Sequence, residues 1–384
     1  MRKDVIGKLL MSKIIYLTSR PITYPGGDAT RARSMIRLLS LKYSWVFVIQ
    51  NRAIVDVISE SNGIEHDWPA NVELLSFRQN WLDVIFGLGH FIFGRLPLSV
   101  CLYYNRSIKK YILQNKSIQI HVHLAKSLIN VPTKFYPTID FDYCDVETKK
   151  IEKISSNSIR GVLFNIDLNR YQYLEKNFVF KRVFLINANE KVFLKLKNVM
   201  IIQNYRFEKR LSTFNSDLAL DEILFIGNFK TISNKDALND FLKDVWKDLR
   251  SDFVLKLAGL VPDNLANKLS KDVRINILGV YDKIDSIVSS RSIILVPNRI
   301  GGGIQNKLLD GLYTGVITVA RKEVLEGLDL AEDSVIRYNN NGELLSILQG
   351  LRKEKESFLS DRRIKLLAEA ERIESSKYDV LNWL

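Results

Sequence analysis

Short apolar runs alternate with longer amphipathic stretches along nearly the whole chain, and this alternation limits the possible folds more than any other feature. A run such as Ser292-Ile-Ile-Leu-Val-Pro297 is apolar at successive positions, as a strand covered on both faces must be. Strands of that kind, each followed by a helical stretch, read as βα units feeding parallel sheets. The first half yields expected strands at 13–18, 44–50, 72–77, 118–124, 133–139 and 182–187, with helices notably at 30–42 and 99–114. In the second half strands are expected at 222–227, 253–258, 274–279, 292–297 and 316–320.

Two such series in 384 residues make two domains of ordinary size. The stretch 204–221 between them is polar and has no period. The expected division is therefore a domain at 13–204, a linker at 205–221, a second domain at 222–359 and a helical segment at 360–384. The first convincing strand starts just after Met11, which sets residues 1–12 apart as a leader. The fold class is α/β, with two Rossmann-like parallel-sheet domains. Open sheets of this kind take ligands beyond the carboxyl ends of their strands. Two of them facing each other would form an inter-domain cleft, a usual place for a substrate.

The formal net charge is +13, which asks for an anionic partner. Lysines and arginines are dispersed along the chain and no nucleic-acid-binding signature occurs, so the reading is no nucleic acid. An anionic substrate and an anionic membrane surface are the candidates. No apolar stretch reaches the roughly 20 residues of a spanning helix. Trp81-Leu-Asp-Val-Ile-Phe-Gly-Leu-Gly-His-Phe-Ile-Phe93 is nevertheless unusually apolar and aromatic, with Arg95 beside it. It is either a helix buried in the first domain or a segment resting in a bilayer interface. The second case would make the acceptor of any reaction lipid-linked. Cys101 and Cys144 stand far apart, which speaks against a disulfide framework or a zinc cluster and for a reducing cytoplasm.

One turn carries a chemical signal. After the strand at 292–297 come Asn298, Arg299, Ile300 and the glycines Gly301, Gly302 and Gly303, and then a helical pattern with Ile304, Leu308 and Leu312 on one face. Free amides and the helix dipole at such a turn favour an anion, and glycines let the backbone approach it closely. Lys307 lies in the first turn of that helix, and Asp310 shares its face three residues on. A carboxylate there would repel phosphate but could accept from ribose hydroxyls. The order fits a nucleotide laid phosphates first, with Arg299 as a second cation. The alternative is a flexible loop beside a surface Lys–Asp pair. Neither a P-loop nor a G-x-G-x-x-G order is present.

The stretch Val-Pro-Asn-Arg-Ile-Gly-Gly-Gly-Ile-Gln-Asn-Lys-Leu-Leu-Asp-Gly-Leu at 296–312 resembles the donor loop of GT-B fold glycosyltransferases, specifically glycosyltransferase family 4. The likeness continues at Glu326-Gly327-Leu328, at Phe225-Ile-Gly-Asn228 with Asn234, and at Gln203-Asn204. In the first half it takes in Leu17-Thr-Ser-Arg-Pro21 with Gly26-Gly27-Asp28 and Arg31, Arg95-Leu-Pro-Leu98, Val122-His-Leu124, and Asp142-x-x-Asp145-x-x-Thr148. The resemblance implies two domains facing across a cleft and a C-terminal helix crossing back to the first. It also implies a retaining, metal-independent transfer of a sugar from a nucleotide diphosphate sugar, the co-substrate, to an acceptor hydroxyl, with no cofactor. The acceptor would be a glycan of bacterial surface polysaccharide, such as capsule, O-antigen or exopolysaccharide. The enzyme would then be cytoplasmic and peripheral at the inner face of the membrane.

By the same resemblance, Gly27, Asn228, Asn234, Arg299, Gly302, Gly303, Ile304, Gln305, Asn306, Lys307 and Asp310 would hold the donor. Gly26, Asp28, Arg31, Asp142 and Asp145 would lie on the acceptor side. His123, Arg299 and Lys307 would serve the transfer itself, His123 by touching the sugar near the reacting carbon. The chain departs from the pattern at Gly302, where many members carry an acid, and at Asn228 and Asn234, where an arginine and a lysine are common. Phosphate charge would then rest more on Lys307 and Arg299, with Lys230 as a further candidate. Local alternatives stand beside these roles: Asp28 as a helix N-cap, and His123 as a core histidine. His121 is set aside as pointing to the other side of the sheet. Asp140-Phe-Asp142 copies an Asp-x-Asp metal pattern, but the reading here is no metal. Two competing functions are an epimerase acting on the nucleotide sugar and a non-catalytic member of a glycan assembly complex.

Overall fold

The computed structural model describes residues 12–23, 27–54, 68–144, 146–148, 159–194, 196–205, 219–281, 283–298, 306–326 and 328–384. The chain divides into two compact units. Asp28–Asn204, the strand before it and the tail Tyr378–Leu384 make the first, and Tyr205–Lys377 the second.

The first unit runs β1 (Lys13–Thr18), α1 (Gly27–Lys42), β2 (Trp45–Arg52), β3 (Val72–Arg78), α2 (Trp81–Phe93), α3 (Leu98–Cys101), α4 (Arg106–Gln114), β4 (Gln119–His123), β5 (Asp140–Cys144), α5 (Ile159–Asn177), β6 (Arg182–Leu185) and β7 (Val199–Ile201). Its seven-stranded sheet has the order β3-β2-β1-β4-β5-β6-β7. The second unit runs β8 (Glu222–Ile226), α6 (Ile232–Asp244), β9 (Val254–Ala258), α7 (Asp263–Leu269), β10 (Ile275–Gly279), β11 (Ser292–Val296), α8 (Asn306–Thr314), β12 (Ile317–Arg321), α9 (Lys322–Leu325), β13 (Ile336–Tyr338), α10 (Asn341–Leu351) and α11 (Glu356–Trp383). Its six-stranded sheet has the order β10-β9-β8-β11-β12-β13. Pairing is parallel between all neighbouring strands of both sheets.

Both orders are doubly wound, with the switch point beside the first strand of each sheet. The central strands β5, β11 and β12 are buried at every position, as layers on both faces require. The tail of α11 belongs to the first unit, where Lys42 Nζ donates to the Leu381 carbonyl at 3.0 Å.

Two expectations need correction. The strand expected at 133–139 is a 3-10 turn over Thr133–Thr138, and the strand is Asp140–Cys144. Pro137 has no amide to give a ladder. The acidic strand is buried because each aspartate has an arginine: Arg182 Nε donates to Asp140 at 2.6 Å, and Arg31 serves Asp142. The helix expected at 99–114 breaks into α3 and α4, because Asn105 caps the second with its side-chain oxygen. The edge strands β7 and β13 are three residues long and leave no period to read.

Candidate functional site

In the second unit, α8 leaves the carboxyl end of β11 and packs against β11 and β12. Gly311 makes this approach possible, since an added Cβ would lie 1.9 Å from Thr318 Oγ1. That hydroxyl is held by its bond to the Val316 carbonyl at 2.9 Å. Gly311→Ala should therefore push the helix off the sheet and cost about 1–3 kcal/mol by overpacking, read as a lower midpoint in chemical denaturation.

Lys307, in the first turn of α8, is only 5% exposed. Its Nζ donates to Asn234 Oδ1 at 3.3 Å and to Asn298 Oδ1, and sits 4.9 Å from the centre of the Phe225 ring. Asn298 Nδ2 in turn donates to Asn234 Oδ1 at 2.9 Å and to Ser233 Oγ at 3.0 Å, which locks both amides. These partners are neutral amides and an aromatic face, and no carboxylate pairs with the ammonium among the described residues. Burial pushes its pKa down to about 7. A buried cation held by dipoles alone is an arrangement that an incoming anion would complete.

Asn234 Nδ2 donates to the Asn228 carbonyl at 3.1 Å, whereas the Asn228 side chain accepts from the Lys230 amide and shapes the turn. Asp310 is buried on α8 one turn beyond Lys307, and Asn306 opens that helix. The structure thus brings Lys307, Asn234 and Asn298 together. Asn298 was missed by the sequence reading; its signal was its place as the second residue past a buried parallel strand. Arg299, Gly302, Gly303, Ile304 and Gln305 lie outside the described residues.

In the first unit a second cluster forms at the carboxyl ends of β1, β4 and β5. Thr18 is in register with His123, and His123 with Asp142. His123 Nδ1 lies 3.3 Å from Asp142 Oδ2, and Nε2 lies 3.1 Å from the carbonyl oxygen of Asp28. Arg31 reaches Asp142 through Nε at 3.0 Å and Nη2 at 3.0 Å, while Nη1 donates to the carbonyls of Ile202 at 2.7 Å and Gln203 at 3.0 Å. Burial alone would raise the Asp142 carboxyl, but Arg31 and the His123 contact outweigh it and hold it well below the usual carboxylate range. Arg31 is 1% exposed, so every donor it has is spent inside the protein. Arg31 and Asp142, expected beside the acceptor, are thus bonded to each other, with Asp142 against His123.

Asp28 lies inside the first turn of α1, which Gly27 opens, and pairs with Arg20 at 3.0 Å. Leu124 and Cys144, at the ends of β4 and β5, have φ of 64° and 67°. Bulky residues in the left-handed region carry strain of about 1–2 kcal/mol each, so both strand ends at this cluster are over-determined by their surroundings. Ligand atoms of His123, Asp142 and Cys144 lie within 4.8 Å of one another. Arg31 already neutralises that carboxylate, so a metal ion there would meet a fixed cation. Gly26 and Asp145 lie outside the described residues.

His121, expected on the other side of the sheet, shares the face of His123. Residues two apart on a strand share a face, and Tyr16 stacks on both rings, 5.3 Å from His121 and 5.8 Å from His123. What separates the two is depth. His121 lies between Tyr16 and Phe184 with neither ring nitrogen hydrogen-bonded among the described residues, and burial pushes its pKa down to about 4. The unfolded chain takes up this proton near 6.5. Stability should accordingly fall as pH drops from about 6.5 towards 4, by up to about 3 kcal/mol. His121→Phe should flatten that part of the denaturation-midpoint profile; an unchanged profile would mean that another group carries the acid sensitivity.

No family model and no curated protein matches the chain. Solved structures match it over nearly its full length. Sucrose-phosphate synthase from Thermosynechococcus elongatus aligns with a TM-score of 0.69 at 11% identity, covering 97% of this chain and 98% of that one. The chain has the GT-B fold. The Anabaena HepE protein in complex with UDP and glucose aligns at 0.65 and 12% identity over 97% of this chain and 100% of that one. WaaG, a glycosyltransferase involved in lipopolysaccharide biosynthesis, aligns at 0.62 and 13% identity over 95% of each chain.

Proposed function

We propose that this GT-B chain is a glycosyltransferase that takes its sugar from a nucleotide diphosphate sugar, with the diphosphate on Lys307. The observation that carries this reading is the buried Lys307 ammonium held by two asparagines and by no acid among the described residues. It is supported by a fold shared with glycosyltransferases, among them a protein crystallised with UDP. In the reaction, the bond between the anomeric carbon and the diphosphate oxygen breaks while the acceptor oxygen bonds to the same carbon. Charge grows on the leaving diphosphate, and Lys307 would balance it. Asp142 is committed to Arg31 and Asp28 to Arg20, so neither serves as a nucleophile. The leaving phosphate then takes the acceptor proton on the same face, which makes the transfer retaining and metal-independent, in the manner of family 4. Asp310, one turn beyond Lys307 on the same helix, would face the ribose. The acceptor is a bacterial surface glycan, presented at the inner face of the cytoplasmic membrane.

The test is thermal denaturation with UDP and with UDP-sugars. A ligand at a hundredfold excess over its Kd stabilises the native state by about 2.7 kcal/mol. Absence of any shift with a panel of nucleotide diphosphates and their sugars would remove the reading.

A further inference from the structure

Helix α2 is built inside out. A surface helix ordinarily turns its apolar stripe to the core and its polar residues to water. Here the buried positions are Asp83 and Gly87. Asp83 closes a reciprocal cap with Asn80 and accepts from Arg106 Nε at 2.9 Å. Gly87 lets the helix press onto Cys101, whose carbonyl oxygen would lie 2.2 Å from an added Cβ. The outward rows carry Trp81, Ile85, Leu88 and Ile92, with Phe86 and Phe93 beside them. Trp81 is 65% exposed, Ile92 67% and Phe93 92%.

A contiguous apolar face in water marks an interaction surface, and three observations select its occupant. The helix is about 20 Å long at 1.5 Å per residue, shorter than a hydrocarbon core. No helix among the described residues is long and apolar enough to cross a membrane. An element of this length can lie in an interface but not span it. Two cations border the face. Arg95, exposed two residues beyond the helix, lies 4.9 Å from the Tyr173 ring centre, and the Arg106 guanidinium, which also pairs with Asp83, lies 5.1 Å from the Phe86 ring centre. The only acid of the helix is buried and paired, so nothing on its outward face repels an anionic surface. Aromatic residues at both helix ends with arginines alongside are suited to the boundary between acyl chains and phosphates.

We propose that the outward face of Trp81–Phe93 docks into an anionic phospholipid bilayer, apolar rows immersed and arginines at the headgroup phosphates. The surface does not depend on the nucleotide reading. The test sediments the full chain with vesicles of phosphatidylglycerol and phosphatidylethanolamine and, in parallel, of phosphatidylcholine alone. Partition to the anionic vesicles is expected to be at least tenfold stronger and to weaken with salt. The double variant Ile92→Ser, Phe93→Ser should lose at least tenfold in that partition with its melting temperature unchanged. Should it melt lower, Ile85→Ser on the same face makes the same comparison. The UDP-induced melting shift is read in the same samples, so failure of one proposal is distinguishable from failure of the other. Wild-type-like binding by these variants, or no preference for anionic vesicles, overturns the proposal. A concentration-dependent dimer that the variants lack would overturn it too, by making a second copy the occupant.

Discussion

Lys307→Met is expected to abolish the stabilisation by nucleotide diphosphates and, at the same time, to raise the melting temperature of the free protein. Methionine keeps the volume and removes the charge. The folded chain sheds this proton near pH 7, whereas an unfolded lysine holds it to about 10.4. Between those values the unfolded state binds more protons, so the free protein gains stability as pH rises through that window. At pH 7 the wild type bears most of the penalty of the buried charge. Removing it should yield on the order of 2 kcal/mol after about 1 kcal/mol is lost from the two amide contacts. A phosphate beside Nζ favours the charged form, so binding takes up a proton. UDP affinity should fall by up to about tenfold per pH unit between pH 7 and 9. Calorimetry in buffers of different ionisation enthalpy reads that proton directly. A Lys307→Met protein that still responds to UDP would move the phosphate site elsewhere.

The second large effect is on the fold. Arg31→Leu leaves the Asp142 carboxylate buried with its main counter-charge gone, and leaves the carbonyls of Ile202 and Gln203 without their donor. Breaking a buried pair from one side costs about 3–5 kcal/mol. It also unfixes the carboxylate that, with Cys144 Sγ, faces His123 Nδ1. The sign of the pH dependence identifies the cause. In the variant the uncompensated carboxyl should titrate above its unfolded value, so its stability is present at low pH and lost as pH rises through the shifted pKa. Arg31→Leu combined with Asp142→Asn should recover part of the loss. If the single variant melts like the wild type and shows no such pH dependence, the ion pair does not hold this cluster.

Parallel sheets and the positions of most strands could be read from apolar runs, because a strand covered on both faces must be apolar along its length and its connections must be helical. The acidic strand Asp140–Cys144 escaped that logic. Its burial depends on Arg31 and Arg182, which are 111 and 42 residues away along the chain. The lysine at the helix start and the strand before it were also legible, and so was the histidine at the end of β4. Its neighbour His121 was misassigned by a simple error of strand period, and Asn298 was passed over because a lone asparagine carries no pattern.

The sequence by itself determined the α/β class, the two series of parallel strands, and the presence of Lys307 at the start of the helix that follows β11. These follow from local periodicity and from the chemistry of neighbours in the chain. Only the tertiary structure decided that Lys307 is buried with no acid beside it among the described residues, that Arg31 faces inward onto Asp142, and that Trp81–Phe93 turns its apolar side to solvent. Each of these depends on which distant side chains arrive at a given place, and a one-dimensional pattern of polarity does not encode which face of a helix finds a partner.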